Sequence, residues 1–184
     1  MTTDYLLHRE VSHILAALTP QNALIIETVL HTGLRISDVL ELRTEQLKPS
    51  MWVQEKKTGK MHRCGLPAWL LDNIRSQAGE VWAFPGAKPG THKTRQALWA
   101  DVKRASRAFR MESNVGTHSF RKVWAVKLME KYGDVKKVQR AMQHSSPSVT
   151  AIYAMADELL EARKSIEAKK RAARKRRQEK STFV

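Results

Sequence analysis

Cysteine is almost missing from this chain of 184 residues. Cys64 stands alone, which excludes an internal disulfide and any metal site built on several thiolates. No apolar run approaches the roughly 20 residues that a membrane-spanning helix needs, and the N-terminus carries no signal-peptide pattern. The chain therefore reads as intracellular, with no membrane partner. No segment repeats another. Acidic side chains are scarce, with 18 Asp and Glu against 33 Lys and Arg, which leaves a formal net charge of +15. Such an excess favours a polyanionic partner, with nucleic acid as the first candidate, although ribosomal and membrane-surface proteins share the signature.

The length and a hydrophobic share of 42% suit one domain with a core of its own. Helical periodicity is expected over 4–18. Thr19-Pro20 then caps a second helix over 20–32 that stops at Gly33, and Ser37 caps a short one through Leu42. Arg35 falls at the junction between these two. The period changes to two around Met51–Gln54 and Met61–Leu66, which predicts a pair of short strands joined by the turn Lys57-Thr58-Gly59-Lys60. Helices follow over 68–77, from Thr94 to Phe109, from Thr117 to Gly133, from Asp134 to Met142, and again from Ser146-Pro147. Trp52, Trp69, Trp82, Trp99 and Trp124 read as packing residues, as does Phe109, and Cys64 as a buried strand residue.

The stretch from Thr117 to Tyr153 carries the chemistry. With Thr117 as N-cap, His118 and Arg121 sit at i, i+3 on one face of a helix N-terminus, where unpaired N–H groups favour an anion. An imidazole and a guanidinium converging there suit a phosphate. His144 and Tyr153 follow, and a phenol beside a phosphate suggests covalent phosphoryl transfer through tyrosine. The last segment differs in kind. From Glu161 to Val184 there are ten basic residues and three acidic ones. Lys169, Lys170, Arg171, Arg174, Lys175, Arg176 and Arg177 lack an apolar face and suit a basic helix or tail that follows phosphates.

Thr32-Gly33-Leu34-Arg35-Ile36-Ser37-Asp38, Lys57-Thr58-Gly59, His118-x-x-Arg121, and His144 with Tyr153 nine positions later resemble the tyrosine recombinase (phage integrase) family, in order and over most of the chain. The resemblance implies a mainly helical catalytic domain with a small antiparallel sheet (α+β), here expected over residues 1–160 and followed by the basic C-terminal helix or tail over 161–184. Most of the family carries a separate N-terminal helical domain, and the expectation here is no separate N-terminal core-binding domain. The resemblance also implies site-specific cleavage and rejoining of duplex DNA through a 3′-phosphotyrosine, without metal or high-energy cofactor. Arg35 and Arg121 become the clamp on the scissile phosphate, Lys57 the proton donor to the leaving 5′ oxygen, and His118 an aid to proton movement. His144 donates to a non-bridging oxygen, and Tyr153 is the nucleophile. Asp38 is expected to orient the Arg35 guanidinium, and Lys56 and Lys60 to contact DNA beside Lys57. Gln143 stands where the family usually has glycine. A homo-tetrameric synapse is implied during recombination. The isolated chain as a monomer, and accessory DNA-binding proteins, remain compatible with it. The implied setting is a bacterial or phage-encoded, cytoplasmic and nucleoid-associated protein.

Each motif alone has a plainer explanation. Arg35 is able to pair with Asp38 or Glu41, a lysine in a turn is usually solvated, and Tyr153 beside Ile152 and Met155 suits a core position. Two other functions stay open on the same residues: relaxation of supercoils in the manner of a type IB topoisomerase, and a DNA-binding regulator without catalysis.

Overall fold

The computed structural model describes residues 3–142 and, beyond them, Ser165. Its organising element is α2 (Pro20–Thr32), because this helix is apolar around most of its circumference and so must be surrounded. Ile25, Ile26 and Val29 are wholly buried. Two core threonines solve their polar problem locally, the Thr28 and Thr32 hydroxyls donating to the carbonyls of Leu24 and Thr28 at 2.7 and 2.6 Å. Around α2 pack α1 (His8–Ala17), α3 (Ile36–Leu40), α4 (Ala68–Gln77) and α6 (Thr117–Tyr132), and α5 (Arg95–Ala108) closes over α1 and α3. A short α7 (Val135–Met142) folds back on α6.

The only sheet among the described residues is a hairpin of β1 (Ser50–Gln54) and β2 (Met61–Gly65), antiparallel with Val53 opposite His62 and Gln54 opposite Met61. Burial alternates along both strands, which turns Met51, Val53, His62 and Cys64 inward. The fold class expected from the sequence, mainly α with a small antiparallel sheet, is the one observed.

Helix boundaries follow local chemistry. The Thr94 hydroxyl accepts from Ala97 N–H at 3.2 Å at the start of α5. Asp134 does the same for Lys136 at 2.8 Å at the start of α7. Gly33 ends α2 with φ of +68°, a backbone conformation that glycine enters without steric penalty. Three expected details differ. Residues 4–7 are not helical, because Asp4 exchanges bonds with Asn114: its N–H donates to the Asn114 carbonyl at 3.1 Å, and its carboxylate accepts from Asn114 N–H at 2.6 Å. The residue preceding α3 is Arg35 rather than Ser37, and that preceding α6 is Gly116, which leaves Thr117 as its buried first residue.

The aromatic expectation also needs correction. Trp52, Trp69 and Trp99 are 57%, 49% and 49% exposed, and Phe109 is 42% exposed. They lie on outward faces of their elements, and the rings of Trp69, Trp99 and Phe109 meet polar neighbours there. His31 meets Trp69 edge-on, His13 stacks on Phe109, and the Lys103 ammonium lies over Trp99. The fully buried large aromatics are Phe84 and Phe120.

Candidate active site

Three elements converge at one end of α2. Gly33 turns the chain sharply, so Arg35 leaves the helix junction pointing at the β1–β2 turn. On α6, Phe120 is wholly buried. That anchors the helix and fixes Arg121, the next residue, toward the same turn. Between the two guanidiniums lies Glu55, which the sequence reading did not single out. Its side chain is 0% exposed. One carboxylate oxygen is hydrogen-bonded to Arg35 Nη1 and accepts from the Thr58 hydroxyl at 3.0 Å. The other lies 3.8 Å from Arg121 Nη1, an ionic contact beyond hydrogen-bond reach, and 3.4 Å from His62 Nδ1. Arg121 Nη2 donates to the Met142 carbonyl at 2.8 Å. Arg35 and Arg121, paired in the sequence reading as a phosphate clamp, are thus brought onto one carboxylate.

The electrostatics record how tightly these charges are gathered. Burial pushes the Arg121 pKa down and the Arg35 charge adds to this, against the pull of Glu55 and Asp38; the result is about 10, still protonated at neutral pH. For Glu55, burial works to raise the carboxyl. Hydrogen bonds from Arg35 and Thr58, with the charges of Arg35 and Arg121, outweigh it and hold the group below its ordinary value. His118, exposed on the first turn of α6, has its pKa lowered by partial burial of the ring and then by Arg95, Arg121, Arg35 and Lys57 in that order. Four of the expected residues, Arg35, Lys57, His118 and Arg121, therefore share one field. Arg95, the exposed first residue of α5, joins them without having been foreseen. Nothing in a lone arginine at a helix start marks it, whereas Glu55, an acidic residue two positions before Lys57 in a basic turn, was a legible signal.

Asp38 does not take the role expected for it. Its carboxylate accepts from the Lys56 backbone N–H at 3.1 Å, while the Arg35 guanidinium goes to Glu55. Burial raises the Asp38 pKa, the Lys56 N–H opposes that, and Glu55 raises it further. Lys56 Nζ donates to Glu41 at 2.6 Å on the surface, and Lys57 and Lys60 are exposed on the turn. His144, Tyr153 and the basic residues from Lys169 to Arg177 lie outside the described residues.

The shifted imidazoles predict an acid-sensitive fold. His31, His62 and His118 all have folded-state pKa values below their ordinary 6.5, burial being the first cause for each. The unfolded chain then binds more protons, so the stability they contribute is complete above about pH 6.5 and declines as the pH falls below it. Glu55, held below its ordinary 4.5, adds a further loss once the pH drops past that value. The urea midpoint should be flat from pH 8 to 7 and fall below 6.5, and His62→Gln should flatten the first part of that fall. A midpoint that rises on acidification to pH 5 contradicts the assignment.

A family model described as the phage integrase family matches residues 4–159. Among curated relatives, the putative integrase/recombinase y4qK of Sinorhizobium fredii is 31% identical over 152 residues, covering 78% of this chain and 49% of the relative. A tyrosine recombinase of Thermosipho africanus is 28% identical over 163 residues, covering 82% and 56%. The chain spans about half the length of these two relatives. Among solved structures, the catalytic domain of bacteriophage HP1 integrase matches with a TM-score of 0.63 at 21% identity, over 88% of this chain and 93% of that one. A lambda integrase dimer bound to a COC′ core site matches with 0.69 at 19%, over 85% and 49%.

Proposed function

The chain belongs to the phage integrase family, and from that membership we propose that it is the catalytic unit of a site-specific recombinase that cuts and rejoins duplex DNA through a covalent phosphotyrosine. The observation that carries this reading is the convergence of Arg35 and Arg121 on one buried carboxylate, with His118 and Lys57 in the same field. Solved relatives of this fold hold DNA, among them XerH on its difH substrate and lambda integrase on a core site. They support duplex DNA as the partner here.

In the proposed reaction the Tyr153 phenol oxygen attacks the scissile phosphorus in line, the bond from phosphorus to the 5′ oxygen breaks, and a 3′-phosphotyrosine remains. Charge grows on the non-bridging oxygens, where two guanidiniums are shaped to receive it. His118 is neutral at neutral pH before DNA arrives, so its ring is ready to take the phenolic proton. Lys57 gives a proton to the departing 5′ oxygen, and His144 donates to a non-bridging oxygen. The phosphodiester energy stays in the phosphotyrosine, so rejoining needs no high-energy cofactor. Residues 1–160 constitute the catalytic part in this scheme, and the cations from Lys169 to Arg177 together with Lys56, Lys60 and Arg95 follow the backbone of the duplex. Synapsis of two duplexes calls for four copies of the chain, with accessory DNA-binding proteins as additional partners, in a cytoplasmic, nucleoid-associated setting.

The test is a pool of nicked duplexes of random sequence, in which cleavage beside the nick releases a short strand and traps the adduct. Wild type should give a protein–DNA band on a denaturing gel, whose sequenced DNA identifies the target, and Tyr153→Phe should give none. No band with wild type, or one that survives in Tyr153→Phe, sinks the proposal.

A further inference from the structure

Glu55 takes no part in the reaction as written, yet it is the best-connected side chain of the site. Its carboxylate holds Arg35 and Thr58 through one oxygen and faces Arg121 and His62 through the other. Its main chain closes the turn that bears Lys57: the Glu55 N–H donates to the Lys60 carbonyl at 2.9 Å, and the Glu55 carbonyl accepts from Gly59 N–H at 2.8 Å. We propose that Glu55 is the positioning residue of this centre, which sets the Arg35 and Arg121 guanidiniums relative to each other and to the Lys57 turn so that clamp and proton donor are assembled before DNA arrives. The proposal rests on the phosphoryl-transfer reading above.

The physical need is plain. Two guanidiniums brought to one phosphate repel each other, and a flexible pair would have to be ordered at every encounter. A buried anion between them removes both penalties, because a guanidinium has five donors: Arg35 gives one to Glu55, Arg121 gives one to the Met142 carbonyl, and each keeps others for the phosphate. The opposite arrangement, in which Glu55 occupies the phosphate position and must leave, fits poorly. Its side chain is 0% exposed and its backbone is bonded on both sides, so it has nowhere to withdraw. Asp38 complements it from the other flank by holding the Lys56 N–H at 3.1 Å.

Glu55→Gln in the full chain preserves volume and removes the charge. With arginines labelled in 13C and 15N, slow guanidinium rotation should give resolved Nη resonances for Arg35 and Arg121 in wild type, and these should average in Glu55→Gln. Adduct formation on the random nicked-duplex pool should fall by about 30-fold or more, while the Kd for an intact duplex of random sequence moves less than about threefold. Resonances that stay resolved, or adduct that forms as fast as or faster than in wild type, overturn the proposal. If circular dichroism shows that Glu55→Gln does not fold, Glu55→Asp carries the test. Its shorter carboxylate reaches only one guanidinium and should cut the adduct rate by about tenfold; an unchanged rate overturns the idea. A wild type that forms no adduct at all defeats the recombinase reading instead, and the arginine resonances still decide whether Glu55 holds the pair.

Discussion

Replacing Arg121 with alanine is expected to reduce covalent adduct formation by about 10³-fold and to destabilise the fold by roughly 3 kcal/mol. The first effect follows from where charge appears. In the transition state the phosphoryl oxygens are the most anionic atoms, and a guanidinium already oriented in a water-poor site stabilises them more than water does. Arg121 is 5% exposed, hydrogen-bonded to the Met142 carbonyl and 3.8 Å from the Glu55 carboxylate, so it is oriented before substrate comes. The second effect follows from what the truncation leaves behind. Glu55 would keep Arg35 and Thr58 but lose a positive neighbour while staying fully buried, and the Met142 carbonyl would lose its donor. Arg121→Lys separates the two effects. It retains the charge, so stability should largely recover, but an ammonium cannot offer the planar fork and adduct formation should stay about 10²-fold down. The measurements are single-turnover adduct rates on the nicked pool and urea denaturation of each variant. Arg121→Ala within tenfold of wild type in rate removes the clamp from the mechanism.

The second large effect is expected at Gly33. Alanine there should cost about 2–5 kcal/mol, an appreciable share of the 5–15 kcal/mol that holds a domain of this kind together. Two penalties add. A residue with a β-carbon pays roughly 1–2 kcal/mol to adopt a φ of +68°. The new carbon would also lie 2.4 Å from the Trp124 ring, a collision that forces α2 and α6 apart and adds about 1–3 kcal/mol. Gly133 provides the control, with φ of +60° but nothing within 4 Å of a β-carbon. Gly133→Ala should show the backbone penalty alone, about 1 kcal/mol. Equal losses at the two positions in urea melts would show that the Trp124 contact does not resist.

What the sequence revealed and what it hid divide along physical lines. Periodicity and punctuation placed α2, the hairpin, α4, α5 and α6 well because each is bounded by local chemistry: Thr19-Pro20, Gly33, Pro67, Thr94 and Gly133 act within a turn of their own positions. The start of α1 was misplaced because a long-range exchange between Asp4 and Asn114 decides it. Trp52, Trp69 and Trp99 escape a packing role because bulk and apolarity say nothing of which face a residue occupies, whereas Trp124 packs against Gly33. At the site, the spacing of Arg35, Lys57, His118 and Arg121 was legible through its family pattern. The pairing beneath it was not. Asp38 looked like the partner of Arg35 because it is three residues away, yet strand β1 brings Glu55 closer in space from twenty residues on.

In the proposed function, the Lys57 turn has a consequence for the entropy of DNA binding. Glu55, Gly59, Lys60 and Asp38 hold its backbone at the base, so bringing Lys57 to a strand restricts four side-chain torsions and little else, a loss of up to about 2 kcal/mol. A slack loop of the same length would surrender a further 1–2 kcal/mol or so for every residue that froze. In that function the saving applies at every encounter with a duplex, whatever its sequence, so it strengthens binding to all sites alike and leaves discrimination to other contacts.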